Sequence, residues 1–360
     1  MITPQIKVNN LANEIKLQTD LYLKHEDMHP LGSHKGRSIP PMINKYVAQG
    51  VEHFVISSSG NAALAAALHI KELNRLKHFA NYTLTIYVGE KIDEEKLRAI
   101  RTLCHSEEVQ RPKNPLNSDV KRSFAYAQDD SIRLFKVANP KQQAILLEKN
   151  TDAKYLRQST DDSALVGYES LAKELSEIQN LSAVFIPTSS GTTAEGLYKG
   201  FQKLGINPQI HIIQTTTCHP IVDVILSGTP NPCHSGENRN LISITGKIPA
   251  EFTPLKNGAG MTAKRDPSVA LHDTQDNSIA TAIVDKVAHR KNTVAEVIKN
   301  SQGQGWIATN EEIKNAQNIL MKTEGVIASP TSALSLVGLT KALKSGVKFD
   351  GPVVCILTGN

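Results

Sequence analysis

The feature that most constrains this chain is an alternation: short β-branched runs recur between longer stretches of helical periodicity, and Gly, Ser, Thr or Asn closes each run. The runs His53–Ser57, 84–88, Ile132–Val137, Ala183–Pro187, Gln209–Thr215, 326–329 and Val353–Leu357 read as strands. Most are apolar throughout, as strands buried on both faces of a parallel sheet should be. Helical spacing covers 62–73, 93–104, 168–179, 193–204 and 332–344. The order predicts an α/β fold. At 360 residues the chain suggests two domains. The polar stretch 139–163 follows a strand and is low in β-branched residues, which puts the crossover near residue 150. The stretch 227–263, rich in Gly, Pro, Asn and Ser, reads as a lid or an inserted subdomain.

Composition removes several classes of function. A 40% hydrophobic and 21% charged chain is neither disordered nor fibrous. The net charge of +5 is dispersed, so nucleic acid is not indicated. No apolar stretch is long enough for a membrane span, four cysteines serve the whole chain, and the first residues lack the apolar core of a signal peptide. A reducing, cytoplasmic setting is expected.

Two strand-to-helix junctions carry small hydroxylated residues: Ser57-Ser58-Ser59-Gly60-Asn61 and Thr188-Ser189-Ser190-Gly191-Thr192-Thr193. Uncapped N–H groups at a helix start, the helix dipole and hydroxyl side chains together can hold a phosphate or a carboxylate. Such residues also simply cap helices. The third feature is Lys35 within Ser33-His34-Lys35-Gly36-Arg37. A lysine that attacks an aldehyde must be deprotonated part of the time, and burial or nearby cations lower its pKa. Arg37 and His34 are the candidate neighbours, and a solvated basic turn is the plain alternative.

Together these pieces resemble the pyridoxal-phosphate enzymes of the tryptophan-synthase-beta fold type, which includes threonine synthase, cysteine synthase and serine or threonine ammonia-lyases. Ser33 to Arg37 is similar to the family's Ser-x-Lys-x-Arg segment, Ser58-Ser59-Gly60-Asn61 to its asparagine loop, and Ser189 to Thr193 to its phosphate cradle. The segment from Val353 to Asn360 is similar to the last cofactor strand of threonine synthases. The resemblance implies two domains, each with a mostly parallel twisted sheet flanked by helices, and pyridoxal 5'-phosphate in the cleft between them. The smaller domain would span 40–150 and the larger 1–39 with 151–360.

Roles follow from the same resemblance. Lys35 would form the Schiff base and then act as base at Cα, with His34 beside the cofactor. Asn61 would meet the cofactor's 3-hydroxyl, Ser57, Ser58, Ser59 and Gly60 the substrate carboxylate, and Ser189, Ser190, Gly191, Thr192 and Thr193 the phosphate. Thr358 would face the pyridine nitrogen. A hydroxyl there holds the ring nitrogen protonated less firmly than a carboxylate, which suits β- or γ-elimination and replacement better than transamination. The implied reaction is elimination or replacement on a small amino acid, with a homodimer as the assembly. Deamination of serine or threonine is the alternative within the family. A pyridoxal-phosphate-binding or regulatory protein without turnover is the alternative of another class, motivated by Gly36 and Ser329 where many relatives have acidic residues.

Other patterns carry less. Gly258-Ala259-Gly260-Met261-Thr262-Ala263 has dinucleotide-type spacing but does not follow a strand. Cys218-His219 and Cys233-His234 lack the spacing of structural zinc ligands, so no metal is expected and the histidines are candidate substrate contacts. Trp306 reads as the anchor of a turn, and Tyr168 as a staple at a helix start or a residue pointing to the cofactor.

Overall fold

Parallel strands need crossover connections, which a chain alternating strand and helix provides. The computed structural model of the protein describes residues 2–58, 60–76, 81–90, 92, 94–103, 131–227 and 277–359. Its strands are β1 (Gln5–Lys7), β2 (Leu21–His25), β3 (His53–Ser57), β4 (Thr83–Gly89), β5 (Ile132–Val137), β6 (Lys154–Tyr155), β7 (Ala183–Pro187), β8 (Gln209–Thr215), β9 (Gly305–Ala308) and β10 (Val353–Leu357). The helices are α1 (Asn9–Glu14), α2 (Lys35–Ala48), α3 (Asn61–Leu76), α4 (Glu94–Arg101), α5 (Pro140–Asn150), α6 (Ser163–Ser176), α7 (Thr192–Lys203), α8 (Pro220–Ser227), α9 (Lys291–Asn300), α10 (Asn310–Glu324) and α11 (Pro330–Lys344).

Two sheets result. The smaller has the order β5-β4-β3-β6 and is parallel throughout. The larger runs β1-β2-β10-β7-β8-β9, with only β1 antiparallel to its neighbour. Alternate residues of one strand point to opposite faces. Hence Phe185, Cys355 and Leu357 enter one core while Val184, Ile186, Val354 and Ile356 enter the other. The smaller sheet divides in the same way, Phe54, Ile56 and Ile86 on one side and Val55, Tyr87 and Phe135 on the other. Burial on both faces is why these strands are apolar at every position. Helix α2 packs against both α3 and α6, and so carries its first residue, Lys35, to the junction of the two sheets.

Several boundaries differ from the sequence reading. Residues 326–329 are not a strand: they run from the left-handed Gly325 that closes α10 to Pro330 at the start of α11, and pair with no strand. Ile327 there is 81% exposed, while Ala328 is buried in the core and Val326 packs against it. The polar stretch 139–163 holds α5 and β6, and α6 starts at its end. Helix α5 buries only Ala144, which leaves little apolar period to read. Strand β6 pairs with β3, so the smaller sheet reaches Tyr155. Helix α2 has no counterpart in the sequence reading, since Pro40 and Pro41 within it argue against a helix. Pro41 cannot donate to the Arg37 carbonyl, and that carbonyl lies against Gly167 of α6, where a Cβ would fall 1.6 Å from it. Glycine at 167 allows the two backbones to meet. Trp306 belongs to β9 rather than a turn, and its indole Nε1 donates to His211 Nδ1 at 3.3 Å.

Candidate active site

In open α/β sheets, ligands gather beyond the carboxyl ends of the strands. The segment from His29 to Lys35 lies there. The backbone N–H of His34 and its ring Nδ1 both reach the Thr358 carbonyl just past β10, at 2.9 and 2.7 Å. Ser33 bridges Gly359, and a Cβ on Gly359 would fall 2.5 Å from Ser33 Cβ and 2.8 Å from Asn61 Nδ2. The lysine segment, the asparagine loop and the final strand therefore meet at one point. Gly36 is required there, since a Cβ would lie 2.3 Å from the His29 ring.

Lys35 begins α2, and burial lowers its amine to about 8, opposed by the carboxylate of Asp285. Burial and the Lys35 charge push His34 down to about 3, so its ring is neutral and donates from Nδ1 to Thr358. Arg37 is not the cation that lowers the lysine. Its guanidinium turns into a buried cluster, bonding Glu26 through Nε and Nη2 at 3.0 and 2.8 Å and Glu174 through Nη1 and Nη2 at 2.5 and 3.0 Å. Lys24 completes this cluster, 2.6 Å from Glu174. Two cations and two anions balance. The cluster fixes the first turn of α2 to β2 and α6, and so fixes Lys35.

The second loop leads from β7 to α7. Gly191, at the N-cap with φ +87°, takes the left-handed conformation, and a Cβ would lie 2.5 Å from Val294 Cγ2. No side chain caps α7, which leaves its first-turn N–H groups for an anion. Ser190 and Thr192 share a hydroxyl hydrogen bond at 2.9 Å, and Thr192 also donates to the Gln158 carbonyl at 3.4 Å. Ser189 is partly engaged: its Oγ accepts the backbone N–H of Val284 and of Asp285, each at 3.2 Å. It keeps its own proton to give. Thr193 lies near the Tyr168 hydroxyl and partly offsets the upward shift that burial gives the phenol.

On the first loop, Ser57 lies near the Tyr155 hydroxyl and partly offsets the upward shift that burial gives it, Ser58 Oγ accepts from Gly60 N–H at 3.4 Å, and Asn61 opens α3. Ser59 lies outside the described residues, as do Asn360, 228–263 with its glycine pattern, and Cys233 with His234. Cys218 is buried, and His219 pairs with Asp223 one turn along α8 at 2.9 Å. Among the described residues no three metal-ligating side chains gather, and no helix is long and apolar enough to cross a membrane. Tyr168 is not a staple at a helix start: α6 starts at Ser163, and Tyr168 lies fully buried in its second turn. Sequence reasoning missed Asp285, Tyr155 and Gln158. Nothing in their local patterns marks them, because only tertiary folding brings them to the loops.

A lysine that loses its proton near neutral pH, together with a helix start prepared for an anion, defines a site for a phosphate-bearing aldehyde cofactor. The chain belongs to the pyridoxal-phosphate dependent enzyme family, whose sequence model matches residues 2–359. Pyridoxal 5'-phosphate is that family's cofactor, and the lowered Lys35 amine and the cradle at Gly191 fit its aldehyde and its phosphate. Threonine synthase from Methanosarcina acetivorans is 26% identical, with 99% of this chain and 74% of the relative covered. Threonine synthase from Methanocaldococcus jannaschii is 25% identical with the same coverage. In structure, an L-serine ammonia-lyase from Rhizomucor miehei is similar with a TM-score of 0.69 and 15% identity, covering 100% of this chain and 94% of that one. The processed threonine deaminase isoform 2 from Solanum lycopersicum gives 0.67 and 16%, over 99% and 83%. These likenesses carry the fold: two mostly parallel sheets flanked by helices.

Proposed function

We propose that this enzyme catalyses β- or γ-elimination or replacement on a small amino acid, in the manner of a threonine synthase or cysteine synthase. The observation that carries the reading is Lys35, an amine lowered to about 8 by burial at the junction of the lysine segment, the asparagine loop and the last strand. The curated relatives matched over nearly the whole chain are threonine synthases, which supports the replacement chemistry.

Pyridoxal phosphate supplies, when bound, an aldehyde for the substrate amine and a conjugated ring that draws electrons from Cα. Lys35 Nζ, partly deprotonated near neutral pH, takes the proton from Cα and returns it to a later carbon or to the leaving group. The amides at the start of α7 and the hydroxyls of Ser189, Ser190, Thr192 and Thr193 hold the phosphate. The loop of Ser57, Ser58, Ser59 and Gly60 receives the substrate carboxylate, with Asn61 directed to the cofactor's 3-hydroxyl. The Thr358 hydroxyl serves the ring nitrogen. His34 stays neutral and acts by fixing Thr358 through its carbonyl. The lobe around the smaller sheet, from about residue 40 to 155, closes over the substrate to exclude water. A homodimer in a reducing, cytoplasmic setting completes the proposal; the free, buried Cys218 and Cys355 accord with that setting.

The test is product analysis on the loaded enzyme, using amino acids with a phosphate, acetate, thiol or hydroxyl group at Cβ or Cγ. Release of the leaving group with formation of a new amino acid supports the proposal. Accumulation of oxo acid and ammonia from serine or threonine, with no second substrate, replaces it with an ammonia-lyase. Bound cofactor with no spectral change on adding any of these amino acids replaces it with a non-catalytic binding role.

A further inference from the structure

We propose that Tyr168 is the positioning residue that sets Lys35 and the phosphate cradle at a fixed separation, an inference that rests on the Lys35 site described above. Its side chain is 0% exposed, and a buried phenol is retained over a phenyl ring only where its hydroxyl finds partners. The hydroxyl has its partner on the lysine segment, and the ring packs against the helix of the phosphate cradle. The hydroxyl donates to Ser38 Oγ at 3.4 Å, and Ser38 Oγ donates in turn to the carbonyl of Lys35 itself at 3.3 Å. The side chain of Thr193, in the first turn of α7, lies near the same hydroxyl and offsets part of the rise that burial gives the phenol. Gln158 Nε2 also donates to Ser38 Oγ, while the Gln158 carbonyl accepts from Thr192, so a second strut runs parallel to the first.

The ring adds a third link. It stacks on His34, the residue before the lysine, with centroids 6.4 Å apart and planes 29° apart. His34 in turn holds the Thr358 carbonyl. On its other side the ring lies over Gly196 of α7, where a Cβ would come within 2.8 Å of Tyr168 Cδ2. One side chain thus spans α2, the final strand and α7, and the gap it fills admits no larger neighbour. Burial holds the phenol at about 12, so at working pH it is a proton donor in a defined direction and never an anion.

The experiment uses the full chain, wild type and Tyr168→Phe, with three readouts: cofactor dissociation constant, the pH midpoint of the visible absorption band of the loaded protein, and the urea unfolding midpoint. Tyr168→Phe keeps the ring stack and removes only the hydroxyl. Cofactor binding is expected to weaken about tenfold, the loss of one buried hydrogen bond, and the band midpoint to move by about half a pH unit. Ser38→Ala is expected to move the band midpoint with a smaller loss of affinity, because the packing of the Tyr168 ring against Gly196 of α7 persists. A Tyr168→Phe protein whose unfolding midpoint falls while cofactor affinity stays within about twofold and the band midpoint stays in place overturns the inference, since that is what a packing residue does. If Tyr168→Phe does not fold, Ser38→Ala decides alone, and an unmoved midpoint overturns it. A wild type that forms no band with pyridoxal phosphate overturns the Lys35 assignment itself, and this inference with it.

Discussion

Arg37→Met should destabilise the protein more than almost any other single change near the site. The arginine makes four hydrogen bonds to two buried carboxylates, at 3.0 and 2.8 Å to Glu26 and 2.5 and 3.0 Å to Glu174. Without it, Glu174 keeps Lys24 at 2.6 Å and Glu26 keeps the Thr3 hydroxyl at 2.5 Å, and the cluster holds two anions against one cation. Breaking a buried ion pair by removing one partner costs about 3–5 kcal/mol. A typical domain has only about 5–15 kcal/mol in all. Urea unfolding followed by Trp306 fluorescence measures the loss. The double variant Arg37→Met with Glu26→Gln restores charge balance, one cation to one anion, and should recover more than half of it. The loss is also pH-dependent. Burial alone would push the Glu174 carboxyl up; hydrogen bonds from Arg37 and Lys24 outweigh it and hold it below its ordinary value of 4.5. Its contribution in wild type is therefore present above that value and lost as pH falls through the lower, folded one. The gap between wild type and Arg37→Met should narrow with falling pH. A single variant within about 1 kcal/mol of wild type, or a double variant no more stable than the single, refutes the claim that this cluster is an interdependent buried unit.

Other consequences are narrower. Gly191→Ala places a Cβ at φ +87° and 2.5 Å from Val294, so it should lower stability by about 1–3 kcal/mol and weaken binding of pyridoxal phosphate, both readable from unfolding and cofactor titration. Lys35→Met should make the cofactor-free protein more stable at pH 7 by about 1 kcal/mol or more, because an amine held near 8 binds fewer protons folded than unfolded. That gain should fade as pH rises from about 8 to the ordinary lysine value of 10.5, and an equal gain at pH 7 and pH 11 contradicts the reasoning. Thr309→Ala removes a capping box, in which Thr309 Oγ1 accepts from Glu312 N–H and the Glu312 carboxylate from Thr309 N–H. It should cost about 1 kcal/mol in unfolding experiments and leave cofactor binding unchanged.

Strands β3, β7 and β10 were legible because they are buried on both faces, whereas β2, which leads into the lysine segment, was not. An unbroken apolar run such as Val353–Leu357 or Ala183–Pro187 has few other readings, and the small hydroxylated residues after it mark the loop where a ligand can approach. Asn61, Gly191 and Thr358 stood out as members of such loops, and Lys35 separately as a lysine flanked by small residues within residues 33–37. What failed to show had a tertiary cause. Helix α2 hides behind Pro40 and Pro41, tolerated because Gly167 brings α6 against the freed carbonyl of Arg37. Arg37 looked like a neighbour of the lysine, yet Glu174 lies 137 residues away in sequence and draws the guanidinium into the core. The apolar run 326–329 imitates a strand, but it lies between the end of one helix and the start of the next and pairs with no strand. Asp285 reaches the site through the two N–H bonds to Ser189, a contact no local pattern encodes.

The central claim is that Lys35 holds the cofactor, and borohydride reduction followed by peptide mapping tests it most directly. Wild type and Lys35→Ala are each incubated with pyridoxal phosphate, their visible spectra recorded, and the reduced proteins digested. A yellow wild type whose reduced cofactor stays on the peptide containing Lys35, beside a Lys35→Ala protein without the band, is the predicted result. Label on another lysine, or a wild type that remains colourless, contradicts the account and leaves the two hydroxyl-rich loops as sites for a different anion.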